Sequence, residues 1–221
     1  PQTNPKKGCP MLLAKHYFSA FLMAFALLGS FHAHAQKVDR KQPPAEFIDA
    51  VATQALEAVK NDAAAQNGDR AAINVLVDQY VLPYVNFEKT TRLATGRHWR
   101  QASAAQRDAL VEAFKNTLVR TYSGALANVD KLSSIQVGPF RGDPTADDVV
   151  VRTTIIQNNG PAVGVDYRME QTPDGWLIYD LNVEGIWLIQ NYRNQFSEVI
   201  TRQGIDGLID SLNKQSMPVQ N

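Results

Sequence analysis

The chain has 221 residues, of which 44% are hydrophobic and 20% charged, and its 22 Lys and Arg balance 22 Asp and Glu. That mix is ordinary for a globular protein and excludes a disordered, collagen-like or disulfide-stapled chain. A formal charge of zero also lacks the basic excess with which nucleic-acid binders hold phosphate.

Residues 1–35 carry Lys6, Lys7 and Lys15 but no acid, and Tyr17 to Leu28 run almost wholly apolar before Ala33-His34-Ala35. A positive flank, an apolar run too short to span a bilayer of about 30 Å as a helix, and small residues at 33 and 35 predict a secretory signal peptide cleaved after Ala35. Met11 is the first methionine, so residues 1–10 are read as lying upstream of the start. Cleavage leaves 186 residues with 19 basic against 22 acidic side chains, one histidine, His98, and no cysteine. The expected product is one soluble domain over residues 45–215, preceded by a flexible arm, 36–44, that is polar and holds Pro43 and Pro44.

From Ala45 to about Asp130 the apolar positions recur at helical spacing: Ile48, Val51, Ala52, Ala55, Leu56 and Val59, then Ile73, Leu76, Val77 and Tyr80. Asn67-Gly68-Asp69 predicts a helix end followed by a cap, and Pro83 a break. Asn86 to Thr95 reads as a short helix closed by Gly96. Ser103 with Gln106 three residues on is a capping-box pattern that opens a long helix striped by Leu110, Phe114, Leu118, Tyr122 and Ala125.

After Asp130 the period falls to two, and four strands are predicted: Leu132 to Val137, Asp148 to Gln157, Ala162 to Gln171 and Trp176 to Val183. The intervening turns, rich in Gly, Pro, Asn and Asp, are short, which implies antiparallel neighbours. The third strand sets Val163, Val165, Tyr167 and Met169 on one face against Asp166, Arg168 and Glu170 on the other. Helix returns from Ile186 through Leu188, Tyr192, Phe196 and Ile200, with a last helix from Ile205 to Leu212. The predicted fold class is α+β, a curved antiparallel sheet of four or so strands with helices covering one face.

The inventory of side chains excludes much catalysis. One histidine and no cysteine cannot build a three-histidine zinc site or a Cys–His nucleophile pair, and no phosphate loop, dinucleotide fingerprint or Gly-x-Ser-x-Gly turn is present. The enzyme alternative rests on Asp180 or His98 as acid or base in an apolar pocket. Strand parity counts Asp180 with Trp176 and Ile178, pointing it inward, where a buried Asp commonly holds a neighbouring helix through hydrogen bonds. Another alternative is a secreted adaptor whose interior is merely core. Fourteen aromatics remain after cleavage. Aromatic and β-branched stripes on facing layers either close into a core or enclose an apolar pocket, and periodicity does not distinguish the two.

Leu82-Pro83-Tyr84-Val85-Asn86-Phe87, Gly96-Arg97-His98-Trp99-Arg100-Gln101-Ala102-Ser103, Phe114 and Thr121-Tyr122 form an ordered set of motifs in the helical half. Val165-Asp166-Tyr167, Asp174-Gly175-Trp176, Tyr179-Asp180, Glu184-Gly185, Asn191-Tyr192-Arg193 and Gln195-Phe196 continue it. Together they resemble the MlaC family of periplasmic phospholipid-binding proteins, some of them known as toluene-tolerance auxiliary proteins, over roughly Ile73 to Leu212. Asn86 stands where that family usually has Asp, and Trp187 where a small Ser is common, which is expected to reshape the pocket. The resemblance implies a non-enzymatic periplasmic carrier with no cofactor and phospholipid as cargo. Such a carrier passes lipid between an outer-membrane lipoprotein complex and an inner-membrane ABC transporter with a lipid-binding periplasmic subunit, and so maintains outer-membrane lipid asymmetry. With the periods, the resemblance implies tail contacts from Leu82, Tyr84, Trp99, Phe114, Leu118, Tyr122, Val165, Tyr167, Trp176, Ile178, Tyr192 and Phe196. It implies head-group contacts from Arg97 and Arg193.

Overall fold

The computed structural model describes residues 37–126 and 132–214. The expected signal segment 1–35, Gln36, and the expected domain end at 215 lie outside the described residues.

Helix α1 (Pro44–Asn61) begins on Pro44, whose missing N–H leaves no donor unsatisfied in a first turn. Asp62 ends α1 and caps α2 (Ala63–Gln66) by accepting from the Ala65 N–H. Gly68 then turns the chain at φ +79°, and the Asp69 carboxylate accepts from the N–H groups of Ala71 and Ala72 to open α3 (Arg70–Tyr80). Pro83 follows within a single 3-10 turn, Leu82–Tyr84. Asn86 Oδ1 accepts from the Lys89 N–H at 2.9 Å, capping α4 (Phe87–Thr95), so the amide serves as a cap here. After a second 3-10 segment, Gly96–Gln101, the Ser103 and Gln106 side chains each accept from the other's backbone N–H and open α5 (Ala104–Leu126).

The segment expected to be a flexible arm is instead fixed from Val38 onward. Val38 is buried, and its N–H donates to the Tyr84 hydroxyl at 2.9 Å. The Arg40 carbonyl accepts from the Trp176 N–H at 2.8 Å while Arg40 Nε donates back to the Trp176 carbonyl at 2.9 Å. Arg40 passes so close to the last hairpin that a Cβ on Gly175 would lie 2.3 Å from its carbonyl oxygen. Composition predicted mobility because polar residues and prolines dominate the arm; the backbone pairing that fixes it reaches a strand more than 130 residues away.

Strands β1 (Leu132–Val137), β2 (Asp148–Gln157), β3 (Val163–Thr172), β4 (Gly175–Val183) and β5 (Ile186–Trp187) form one antiparallel sheet in sequence order. The fifth strand is unforeseen, since two residues are too few for periodicity. It is placed by a tight turn in which Glu184 and Gly185 both have positive φ and Asn182 Oδ1 accepts from the Gly185 N–H.

A bulge in β4 changes which side chains face the helices. Met169 pairs with Ile178 and Arg168 with Asp180, so Tyr179 is the extra residue and parity reverses beyond it. Strand parity placed Asp180 with Trp176 and Ile178; the bulge moves it to the face of Arg168, and Leu181 takes the face of Tyr167. Asp180 is nonetheless 2% exposed. Its Oδ1 accepts from the backbone N–H of Ile189 and of Leu181, both at 3.0 Å, and its Oδ2 pairs with Arg168 Nη1 at 3.1 Å. Asp180 thus caps α6 (Leu188–Asn213), which bends at Gly204, where φ is 73° and ψ −177°. Trp187 covers the Arg168 guanidinium at 3.7 Å, and its side chain is spent on this lock rather than on the cavity wall.

Three packed clusters tie the layers together. Phe114, Tyr192 and Phe196 stack where α5 meets α6, with centroids 4.8 to 5.6 Å apart. Phe47, Tyr84 and Trp176 join α1 to the sheet, and Val59, Ile73 and Val77 join α1 to α3. From Val38 onward the described residues belong to one compact unit.

Asp180→Ala removes a helix cap and leaves Arg168 without its partner, and is expected to lower unfolding free energy by about 2–3 kcal/mol in urea titration, with Asp180→Asn costing less because it keeps an acceptor. Burial pushes the Asp180 carboxyl above its ordinary range against the pull of Ile189, Arg168 and Leu181. Its folded-state proton affinity therefore adds stability below the ordinary carboxylate pKa that is lost as pH rises through the raised value. The difference between wild type and Asp180→Asn should shift in favour of wild type as pH falls through that window.

Candidate functional site: an apolar cavity between sheet and helices

A cavity of about 340 Å³ lies between the sheet and the helices, within the range of small-molecule sites. Helix α1 contributes Ile48, Val51, Ala52, Ala55 and Leu56 to its wall; α3 and the following turn contribute Val77, Val81, Leu82 and Val85. Phe87 and Thr90 come from α4, and Leu118, Val119, Tyr122 and Ser123 from the last turns of α5. The sheet supplies Ile135, Ile155, Val165, Tyr167 and the run Ile178 to Leu181, and Leu188 opens α6. Tyr122 lines the cavity while 40% exposed, which places it where the cavity meets solvent.

The polar groups of this wall at Thr90 and Asp180 are already engaged. The Thr90 hydroxyl lies 2.7 Å from the Tyr179 carbonyl and 2.9 Å from that of Asn86, bonding the backbone at the cavity edge. Burial raises the pKa of the Tyr167 hydroxyl, with a smaller opposing effect from Thr153, so the phenol stays neutral. Tyr122 is raised by the same cause. Asp180 is the one ionisable carboxylate in the wall, and its oxygens are held by Arg168 and two backbone N–H groups. No Lys or Arg is among the lining residues. Such a surface holds hydrocarbon and offers nothing to an ion.

Six of the residues expected to touch lipid tails, Leu82, Leu118, Tyr122, Val165, Tyr167 and Ile178, are brought together in this wall. Tyr84, Trp99, Phe114, Trp176, Tyr192 and Phe196 lie instead in the packed clusters. Tyr84 stacks edge-on against Phe47 and accepts from the Val38 N–H. Trp99 faces the Arg107 guanidinium and its carbonyl accepts from Arg107 Nε, and Trp176 is pinned by Arg40. In these cases large aromatic rings are part of the packed frame rather than of the cavity wall.

The two expected head-group residues separate as well. Arg193 donates through both Nε and Nη2 to the Leu93 carbonyl, satisfying the last turn of α4. Arg97 is exposed in the 3-10 segment that follows α4. His98, one of the two alternative acid–base candidates, is buried with Nε2 unpartnered and lies outside the cavity wall, whereas Asp180, the other, lines it with both oxygens engaged. No cluster of His, Cys, Asp and Glu suited to a metal occurs among the described residues.

The sequence reading missed every α1 residue of the wall, since that apolar stripe was legible but indistinguishable from core, along with residues of α3, α4 and the sheet. Phe114→Ala tests the division between frame and wall: it is expected to cost about 3–5 kcal/mol of stability, read as a lower melting temperature, because it empties a solid cluster.

The MlaC protein family model matches residues 49–214 of the chain. The intermembrane phospholipid transport system binding protein MlaC of Haemophilus influenzae is 26% identical over 151 residues, spanning 66% of this chain and 70% of that protein. Toluene tolerance protein ttg2D of Pseudomonas putida is 24% identical over 166 residues, 75% of this chain and 76% of that one. The solved structure of a phospholipid-binding protein from Ralstonia solanacearum, in complex with a phospholipid, superposes with a TM-score of 0.72 at 40% identity, covering 76% of this chain and 93% of that chain. With the family match running from within α1 to the end of α6, and with an apolar cavity enclosed between them, this chain belongs to the MlaC family.

Proposed function

We propose that this protein is a phospholipid carrier that shields acyl tails in the cavity and releases them to a partner without making or breaking bonds. The observation that carries the reading is the wall itself: apolar side chains from helices and sheet around about 340 Å³, with its one carboxylate neutralised by internal partners. The phospholipid held by the similar Ralstonia solanacearum protein supports it.

The physical need is clear. Two sixteen-carbon tails carry about 30 methylenes, and exposing them to water costs on the order of 25 kcal/mol at about 0.8 kcal/mol each. A dry cavity offers them nearly the environment of a bilayer, so loading and unloading are close to balanced and partners set the direction. The charged head group stays outside, because the wall offers it no cation. Tails then contact Leu82, Leu118, Val165, Tyr167 and Ile178, with Tyr122 at the solvent boundary.

The location follows from the same reading. A signal peptide over 1–35 delivers the chain to the periplasm, where it shuttles between an outer-membrane lipoprotein complex and an inner-membrane ABC transporter with a lipid-binding subunit. No helix among the described residues is long and apolar enough to cross a membrane.

Organic-solvent extraction of the purified protein, followed by lipid mass spectrometry, is expected to return about one phospholipid per chain; a lipid-free interior would refute the carrier. Tyr167→Asp sets a carboxylate against the tails and should at least halve the bound lipid while the circular dichroism spectrum is retained. Unchanged lipid would remove Tyr167 from the contact surface.

A further inference from the structure

We propose that α1 is the gauge of the cavity: Ala52 and Ala55 set how much acyl chain the carrier holds. The inference deepens the phospholipid-carrier reading and rests on it.

Most of the cavity wall is built from large side chains, and Ala52 and Ala55 are the only alanines among its described residues. They stand three residues apart in α1, so helix geometry stacks them on one face about 4.5 Å apart along the axis. One turn earlier, Phe47 and Ile48 are 0% and 1% exposed in the solid cluster under Trp176. At Ala52 and Ala55 burial is only partial, although both belong to the inward stripe, and the next large residue, Leu56, lines the cavity again. Ile48 and Val51 reach the wall as well, so α1 runs along the cavity from Ile48 to Leu56, and in the middle of that stretch two side chains end at Cβ.

Nothing in the helix itself requires alanine there. Leucine is nearly as good a helix former, so the backbone of α1 would tolerate it. Side chains that continued the Ile48 and Val51 pattern would project into the space that tails need. Since protein interiors pack at crystal-like density, each carbon added to this wall displaces about one carbon of cargo. Two leucines in place of the alanines add six carbons, about three per tail for a two-tailed lipid.

The test is acyl-chain analysis of lipid extracted from wild type, from the double variant Ala52→Leu/Ala55→Leu, and from Glu57→Leu, which enlarges a residue on the exposed face of the same helix. The double variant is expected to carry tails shorter by about two to three carbons on average, or less than half the wild-type lipid, with Glu57→Leu unchanged. A folded double variant with wild-type tail lengths and lipid content overturns the gauge while leaving the carrier reading intact. Wild type without phospholipid takes both down. Should the double variant fail to fold, Leu56→Ala decides the matter: tails longer than those of wild type support the gauge, and unchanged tails overturn it.

Discussion

An apolar space inside a folded protein is held open against the tendency of the surrounding side chains to close on it. Wall atoms that face an unfilled apolar space forgo dispersion partners or stay exposed to water, and either costs stability. The rest of the architecture answers this constraint. The rings of Phe114, Tyr192 and Phe196 on one side and of Phe47, Tyr84 and Trp176 on the other pack solidly around the space, so the wall cannot relax into it without dismantling a cluster. A bound tail restores the missing contacts, which couples cargo to stability.

Polar locks fix the elements that the wall needs. The bulge at Tyr179 turns Asp180 away from the parity of its strand and onto the first turn of α6, where it holds the helix that presents Leu188 to the cavity. Arg168 and Trp187 cover that carboxylate from the other side, so the one charge near the hydrocarbon space is neutralised inside the frame. The strap at Val38 and Arg40 does the same for the far edge, joining the chain before α1 to Tyr84 and Trp176. Both are long-range contacts between short segments, and neither leaves a trace in local pattern.

The helical boundaries were legible because caps are local. Asp69, Asn86 and the Ser103–Gln106 pair each act within three residues, so their chemistry is printed in consecutive letters. Strands β1 to β4 were legible through alternation and turn residues, and β5 was not, since it exists only because the turn at Glu184-Gly185 folds Ile186 and Trp187 back on Asn182 and Val183. The cavity was half legible. Stripes named the apolar faces of α1, α5 and β3, but Phe114 and Leu118, one turn apart on the same stripe, share one packed cluster while only Leu118 also reaches the wall.

Sequence by itself determined the class of fold, the caps of α3, α4 and α5, the strand directions and the family, because periodicity and motif order are properties of neighbouring residues. Which inward side chains fill space and which surround it was decided only in three dimensions. Filling depends on how far apart two layers stand, and that is set by side chains from elements remote in the chain and by the bulge in β4.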